Sequence, residues 1–484
     1  MNKSKYSKKT KKSNHGSSIT NKLKLKNKKQ TQKQSQKQKT VRMIIFYSPS
    51  IENDAKIYKT EFIKQGYKVD FKIIEAINHT HIEKKYDINL FLENLPFDFK
   101  TTFPAKKHLF MPNNELFIDT SSYLYNIHTK DSSNDNDDDN DDDNDDDNDD
   151  DSRSSRKSSS KSSRSKIRHI KHQGNEEDKE EDYKGVVLYD RYEELKSIDF
   201  VLCKTKMCET FFNFLKNEKK NVRKYKYETI YTKFTTTIGK ELIHIFNNND
   251  PTHIKNIIDP NLFVHLAGKS PFKNTPDLIH CWIKNKGFLD IDPNIKLVIT
   301  CYEHCSFWFN KTLTRFFKYD FEKDKEVHMN YKTNIATYKN MTIYFKPINP
   351  YSDFIDIITK ANVAICISNK EGYGHYINEV RYMKKFIITL DYPPMNELVI
   401  DKDGIGGNGI VLKKKNKFIK QSYKETKFNF SESYPDSDDL RDSIIWCIKH
   451  KHELRKYGEN GRKMFLDDKN YFEDKMEKFI GSKL

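Results

Sequence analysis

The sequence predicts an α/β protein that is built on parallel β-sheets and divided into two domains. Short apolar runs rich in β-branched residues alternate with helical stretches from residue 43 onward, which is the rhythm of βαβ units. The most complete unit covers residues 363–390, where an apolar run, a glycine-bearing turn, a helix and a second apolar run follow one another. A length of 484 residues allows two or three domains of ordinary size.

The first domain is predicted over residues 41–255. A buried strand at 43–47 leads to a helix at 54–65, which Gly66 ends. Further strands are predicted at residues 68–74, 86–92, 108–111, 199–205 and 227–234. Polar residues around Pro251 mark the link to the next domain.

The second domain is predicted over residues 256–440. It opens with the apolar strand 261–267, and strands at 296–300 and 341–345 precede the unit at 363–390. Residues 441–484 are assigned to C-terminal helices, with helical patterns at 438–450 and 453–479.

Two charged segments are predicted to be disordered. Residues 1–40 contain 14 lysines and no acid, with almost nothing apolar to bury. Residues 131–182 carry 20 acidic against 9 basic residues, as an Asp run followed by a Ser/Arg-rich stretch, and are interpreted as an insertion in the first domain. The tail is a solvated arm, a contact for nucleic acid or an anionic membrane, or a nuclear localisation signal. The insert is either a solvated loop, a phosphorylatable segment or a cation store.

Cysteine content and hydropathy predict a soluble, cytoplasmic protein. Seven cysteines without a C-x-x-C pair indicate a reducing compartment rather than a disulfide framework. No apolar run approaches the roughly 20 residues of a membrane helix, and the N-terminus lacks the apolar core of a signal peptide. The abundance of Lys, Asn and Ile resembles that of AT-rich genomes, such as those of giant viruses that infect amoebae, and a viral origin would imply the host cytoplasm.

In the unit at 363–390, the turn that follows the first apolar run is the strongest candidate site, because parallel sheets place ligands at the carboxyl ends of their strands. Gly372 and Gly374 allow close approach to the backbone, and a helix beginning near His375 presents N–H groups suited to a diphosphate. Glu371 and Glu379 flank this anion site. Since carboxylates do not attract phosphates, they are expected to accept hydrogen bonds from hydroxyls, as on a sugar and a ribose. The pattern therefore predicts a nucleotide sugar.

The segment 371–379, together with Pro-Pro-Met-Asn-Glu-Leu at 393–398, resembles the donor-site motif of family-4 (group 1) retaining glycosyltransferases. The resemblance implies the GT-B fold, in which two Rossmann-like domains face each other across a cleft and C-terminal helices brace the first domain. It also implies a hexosyltransferase-type enzyme. Such an enzyme transfers a sugar from a nucleotide sugar to a glycan, protein or lipid and keeps the anomeric configuration.

The same resemblance assigns roles within the turn. Glu371 is assigned to hydroxyls of the donor sugar and Glu379 to the ribose. The diphosphate is assigned to the backbone amides of Gly372, Tyr373, Gly374 and His375. The family has an aliphatic residue at the position of His375, so no role is predicted for that side chain.

A second loop supplies positive charge to the site. Residues 268–274, Gly-Lys-Ser-Pro-Phe-Lys-Asn, resemble the family's Gly-(Arg/Lys)-x-x-x-Lys-Gly loop, beginning at Gly268. Lys269 and Lys273 take the positions of its phosphate-contacting pair, and with Glu371 they are the predicted catalytic residues. Asn274 stands where the family has glycine. Because these groups meet the charge of the diphosphate, no metal and no other cofactor is expected.

The acceptor side of the predicted cleft is less defined. Asn113 and Glu115 follow a strand and either face the cleft or, for Asn113, only start a turn. His79, His108 and His128 are open candidates for the first-domain residue that touches the transferred sugar. Two rival functions remain: a catalytically degenerate GT-B scaffold, and a nucleic-acid-binding protein that uses the basic tail.

Overall fold

The computed structural model describes residues 38–46, 49–74, 84–96, 99–112, 192–217, 225–247, 258–302, 313–314, 317–369, 371–399, 407–423 and 426–484. The basic tail up to residue 37 and the insertion at 131–182 lie outside the described residues. Within the described ranges, no helix is both long enough and apolar enough to cross a membrane.

The first domain contains a six-stranded sheet whose strands pair in parallel throughout. Its strands are β1 (Thr40–Phe46), β2 (Lys68–Ile74), β3 (Tyr86–Glu93), β4 (Ala105–Pro112), β5 (Phe200–Cys203) and β6 (Glu228–Tyr231). Their spatial order is β2-β1-β3-β4-β5-β6. Met43 and Ile45 enter one hydrophobic core and Ile44 enters another, so the sheet is covered on both faces.

The second domain contains an eight-stranded sheet. Its strands are β7 (Leu262–Gly268), β8 (Lys296–Cys301), β9 (Val327–Asn330), β10 (Ile335–Tyr338), β11 (Met341–Tyr344), β12 (Val363–Cys366), β13 (Phe386–Leu390) and β14 (Gly409–Leu412). The spatial order is β14-β13-β12-β7-β8-β11-β10-β9, parallel from β14 to β11 and antiparallel in the last three strands. A separate antiparallel ribbon comes next in the chain, formed by β15 (Lys414–Tyr423) and β16 (Thr426–Pro435).

Helices connect and cover the strands of both sheets. They are α1 (Pro49–Lys64), α2 (Phe99–Thr102), α3 (Tyr192–Leu195), α4 (Lys206–Asn217), α5 (Lys240–Asn247), α6 (Thr275–Lys284), α7 (Tyr351–Lys360), α8 (His375–Tyr382), α9 (Ser437–Lys449) and α10 (Leu454–Lys483). Helix α9 begins four residues before the stretch 441–484 that the sequence assigns to the C-terminal helices.

The last helix returns to the first domain. Phe472, Met476 and Phe479 of α10 are buried in the same core as Met43 and Tyr58. The ring of Phe472 packs edge-on against Tyr58, with 5.7 Å between the ring centroids. The described part of α10 therefore braces the first domain, as the resemblance implied.

The predicted fold class is confirmed: the protein is α/β, with two Rossmann-like sheets, the first parallel throughout and the second parallel except in its last three strands. Strands 327–330 and 335–338 and the ribbon 414–435 are not predicted by the sequence pattern. The strand predicted at 227–234 is shorter, since only residues 228–231 pair with β5. The residues after Tyr231 leave the sheet and approach the second domain.

Candidate functional site

The site lies where the order of the second sheet reverses. Strand β7 lies between β8 and β12 in the sheet. The chain continues from β7 to β8 on one side, whereas β12, which comes later in the chain, is added on the other side. The loop after β7 and the turn after β12 therefore meet at the carboxyl ends of adjacent strands. In open parallel sheets this switch point is where ligands bind.

The loop after β7 is short and tightly held. Gly268 ends the strand at φ +57°, and a single 3₁₀ turn covers Pro271–Lys273. Ser270 caps that turn, because its hydroxyl accepts from the Phe272 N–H at 3.3 Å. Asn274 adopts the left-handed φ of +50°, a conformation that asparagine tolerates better than most residues. Asparagine is therefore a residue that this left-handed position can hold.

The two predicted lysines of this loop differ in exposure. Lys269 is exposed, whereas Lys273 is buried and forms an ion pair with Glu371. The Lys273 Nζ also lies 3.8 Å from the centroid of the Tyr376 ring. Of the pair, only Lys273 is fixed at the centre of the site.

Glu371 is held by both loops. Its Oε2 accepts from Lys273 and, at 3.3 Å, from the Ser368 hydroxyl. The Asn369 N–H donates to the Phe272 carbonyl oxygen at 2.8 Å, which ties the turn after β12 to the loop after β7. Burying a charge is costly unless it is paired and hydrogen-bonded, and here each charge satisfies the other.

The turn before α8 requires glycine at one position. Gly374 has φ +93°, and a Cβ on it would lie 2.8 Å from the Leu398 Cδ1. Gly374 is the N-cap residue of α8, and it has no side chain with which to cap the helix. The first N–H groups of α8 lack intrahelical acceptors and point out of the helix end, with the partial positive charge that suits a diphosphate.

Glu379 lies one turn further along α8. It is half-buried, and its carboxylate makes no hydrogen bond to any residue that the structure describes, although its backbone carbonyl oxygen accepts from the Met383 N–H at 3.0 Å. Burial raises the pKa of its carboxyl group, and nearby His375 partly offsets this effect. A carboxylate of this kind is available as a hydrogen-bond acceptor for a ligand hydroxyl.

Two predicted site residues direct their side chains toward the first domain. The Tyr373 hydroxyl donates to the Phe234 carbonyl oxygen, and its ring is buried in the first domain's core. The His375 Nε2 lies 2.8 Å from the Asp54 Oδ1, and its Nδ1 lies 2.9 Å from the Thr236 hydroxyl. Both side chains therefore join the domains and do not face a ligand at the turn.

Sequence reasoning does not single out Glu397. Its carboxylate accepts from the backbone N–H groups of Lys206 and Met207 at 2.8 and 2.9 Å. A carboxylate of the second domain thus caps the N-terminus of α4 in the first. Burial raises the pKa of Glu397, and the two N–H groups act in the opposite direction. The segment 393–398 is part of the predicted donor-site motif, but the partner of Glu397 cannot be inferred from the sequence.

Of the residues predicted for the acceptor side, the structure describes His108. Asn113, Glu115, His79 and His128 lie outside the described residues. His108 is buried among aromatic rings, 5.0 Å from Phe99 between ring centroids, and burial lowers its pKa to about 4. It is therefore a neutral core residue rather than a group that faces the cleft. Among the described residues, no cluster of three or more His, Cys, Asp and Glu is arranged to hold a metal ion.

No protein-family model and no curated protein matches this sequence. A glycosyltransferase from Rickettsia africae ESF-5 is similar in structure, with 12% identity over 93% of this chain and 100% of its own and a TM-score of 0.48. Sucrose-phosphate synthase from Thermosynechococcus elongatus shows 10% identity over 89% and 94% of the two chains, with a TM-score of 0.47. WaaG, a glycosyltransferase involved in lipopolysaccharide biosynthesis, shows 10% identity over 91% and 100%, with a TM-score of 0.47.

Proposed function

We propose that the protein is a retaining glycosyltransferase of the family-4 type, which transfers a sugar from a nucleotide sugar to a glycan, protein or lipid. The observation that carries the proposal is the buried pair of Lys273 and Glu371. It places a cation and a hydroxyl acceptor together at the switch point of a Rossmann-like sheet, beside the uncapped N-terminus of α8.

Each group has a distinct task in this reaction. The amides of 372–375 and the ammonium of Lys273 bind the diphosphate, and exposed Lys269 approaches it from the same loop. These charges stabilise the negative charge that develops on the diphosphate as the glycosidic bond to the sugar breaks. Glu371 accepts hydrogen bonds from the sugar hydroxyls, and Glu379 accepts them from the ribose.

A panel of UDP- and GDP-sugars tests the proposal. We expect one donor to be consumed in the presence of excess chelator, because Lys273 and the helix N-terminus already supply positive charge to the diphosphate. The new linkage, assigned by NMR, should have the anomeric configuration of the donor. Activity that is lost in chelator and restored by Mn²⁺, or an inverted anomer, would contradict this mechanism.

Nucleotide binding without sugar transfer would indicate a different function. If UDP or GDP binds at this site but no donor in the panel is consumed with any acceptor class, the protein is a degenerate GT-B scaffold. If neither nucleotide binds while polyanions do, the nucleic-acid-binding alternative is favoured.

The basic tail adds a proposed partner. With 14 lysines and no acid in residues 1–40, it would hold polyanions by counterion release and leave donor turnover unchanged. Heparin retention of the full chain, compared with a chain lacking residues 1–40, tests this contact. Cytoplasmic location, in a host cell if the protein is viral, completes the proposal.

A further inference from the structure

A buried charged cluster joins the first domain to the candidate donor turn. Its centre is Asp54 of α1, which is 1% exposed. The Asp54 Oδ2 accepts from the Lys204 ammonium at 3.0 Å, and its Oδ1 lies 2.8 Å from the Nε2 of His375. Asp54 and Lys204 belong to the first domain, whereas His375 is the first residue of α8 in the second.

The cluster fixes the imidazole ring of His375 through both nitrogens. Nε2 lies at ion-pair distance from the Asp54 carboxylate, and because a carboxylate only accepts, Nε2 is the nitrogen that carries the proton facing it. In the neutral ring, Nδ1 then accepts from the Thr236 hydroxyl at 2.9 Å. The ring is thus held between α1 and the segment after β6.

The carboxylate of Asp54 remains ionised in this setting. Burial by itself would raise its pKa, but the charge of Lys204 and the hydrogen bond from His375 hold the pKa below its usual value. Withdrawing a polar partner from a buried carboxylate is costly, because the charge loses a contact that offsets its desolvation. Movement of the His375 ring away from Asp54 is therefore disfavoured.

We propose that Asp54 is a positioning residue for the donor site, acting through His375. This inference rests on the proposed function, since the backbone N–H of His375 is one of the amides assigned to the diphosphate. Anchoring its side chain to the first domain fixes the turn 372–375 in the orientation that a diphosphate needs. The first domain thereby sets the geometry of a site whose binding groups belong to the second.

A second contact reinforces the same arrangement. Lys204 lies in the connection between β5 and α4, and the first two residues of α4 donate the two N–H groups that Glu397 accepts. One short segment of the first domain thus supports Asp54 with a side chain and holds the second domain with its backbone.

The test combines two substitutions and their double variant. Asp54→Asn keeps the shape and removes the charge, whereas His375→Leu leaves the pair of Asp54 and Lys204 intact. We expect each to speed hydrogen exchange of the amides at 372–378 without any ligand present. Each should also weaken UDP or GDP binding about tenfold, the order of effect of one hydrogen bond to a charged group. Because both act through one contact, the double variant should be no worse than Asp54→Asn alone.

The matched control is Asp292→Asn. Asp292 is also mostly buried and accepts from Lys451 at 2.6 Å, but it does not contact the turn. It should leave both exchange at 372–378 and nucleotide affinity unchanged. Unchanged exchange in Asp54→Asn, or effects that add in the double variant, would overturn the positioning role. If the unsubstituted protein binds neither nucleotide, the proposed function fails, and hydrogen exchange alone still decides whether Asp54 orders the turn.

Discussion

Lys273 and Glu371 are 98 residues apart in the chain, yet they share one buried ion pair. In the absence of a ligand each neutralises the other, which limits the desolvation penalty of a prepared site. In the proposed reaction, the diphosphate and the hydroxyls of a nucleotide sugar would provide further partners for the same two side chains. The pairing of Lys273 with Glu371 is therefore compatible with the roles proposed for both residues.

Replacing the two glutamates should separate nucleotide binding from sugar binding. Glu379→Gln is expected to weaken UDP or GDP and the corresponding nucleotide sugar equally, because both carry the ribose. Glu371→Gln should mainly weaken the nucleotide sugar. Each lost hydrogen bond to a charged group corresponds to about 1.5–3 kcal/mol, which calorimetric titration resolves. If neither substitution changes either affinity, both residues are removed from the site.

The sequence can single out these side chains as candidates because their signals are local. The order of apolar runs, glycines and acids at 363–379 determines where a strand ends and where the next helix begins. The partners of His375 and Glu397 could not be found this way. Asp54 and Met207 are distant in sequence, and nothing in their own segments marks them as contacts of the second domain.

His265 should make the stability of the protein depend on pH. Its Nδ1 donates to the Ile365 carbonyl oxygen at 2.8 Å, its Nε2 accepts from Thr275 at 3.0 Å, and burial lowers its pKa from 6.5 to about 4. Between these values the unfolded chain binds a proton that the folded chain does not. The free energy of unfolding therefore falls as the pH falls, by up to about 1.4 kcal/mol per pH unit.

The variant His265→Asn cannot titrate at this position. In urea unfolding measured from pH 7 to pH 4, His265→Asn should be less stable than the unsubstituted protein at pH 7. Its free energy of unfolding should also decline less steeply below pH 6.5. An identical decline in both proteins would show that His265 does not contribute to the pH dependence.

At the scale of elements, the strands around the switch point were predictable and the antiparallel additions were not. The strands β7, β12 and β13 are apolar and buried, and such runs are recognisable without a partner. In the ribbon, β15 is Lys-rich and β16 consists mostly of polar residues, so neither has an apolar run like those of the buried strands, and their pairing identifies them as strands. Its base contacts the site, since the Asn274 amide donates to the Ser433 carbonyl oxygen at 3.0 Å.

The turn before α8 should tolerate no side chain at Gly374. Alanine there must adopt φ +93° and would also push against Leu398, whose Cδ1 would be 2.8 Å from the new Cβ. The matched control is Gly66→Ala, at φ +83° with open space around its Cβ. Both variants should lose about 1–2 kcal/mol of stability from the left-handed backbone. Only Gly374→Ala should also lose UDP or GDP affinity, and equal affinities in the two variants would contradict the placement of the diphosphate at this turn.

At the scale of the whole molecule, the last helix links the two domains. Arg381 of α8 is fully buried and donates to Asp468 of α10 at 2.8 Å, and Asp468 also accepts from Lys233 of the first domain at 2.5 Å. Further along, α10 enters the first domain's core. Helix α8, helix α10 and the segment after β6 therefore form one connected region, which an interpretation of each domain's sequence by itself does not show.

Because of this link, replacing a buried side chain of α10 near the C-terminus should destabilise the first domain. Phe472 is 0% exposed and packs against Tyr58 and Phe234, with 5.7 and 5.4 Å between ring centroids. Phe472→Ala should cost about 3–5 kcal/mol, the usual range for a phenylalanine in a core. Hydrogen exchange should then accelerate in β1, although that strand lies more than 400 residues away in the sequence. Leu466→Ala, on the exposed side of the same helix, is the control and should stay within about 0.5 kcal/mol. If β1 keeps its protection in Phe472→Ala while the second domain loses it, α10 belongs energetically to the second domain alone.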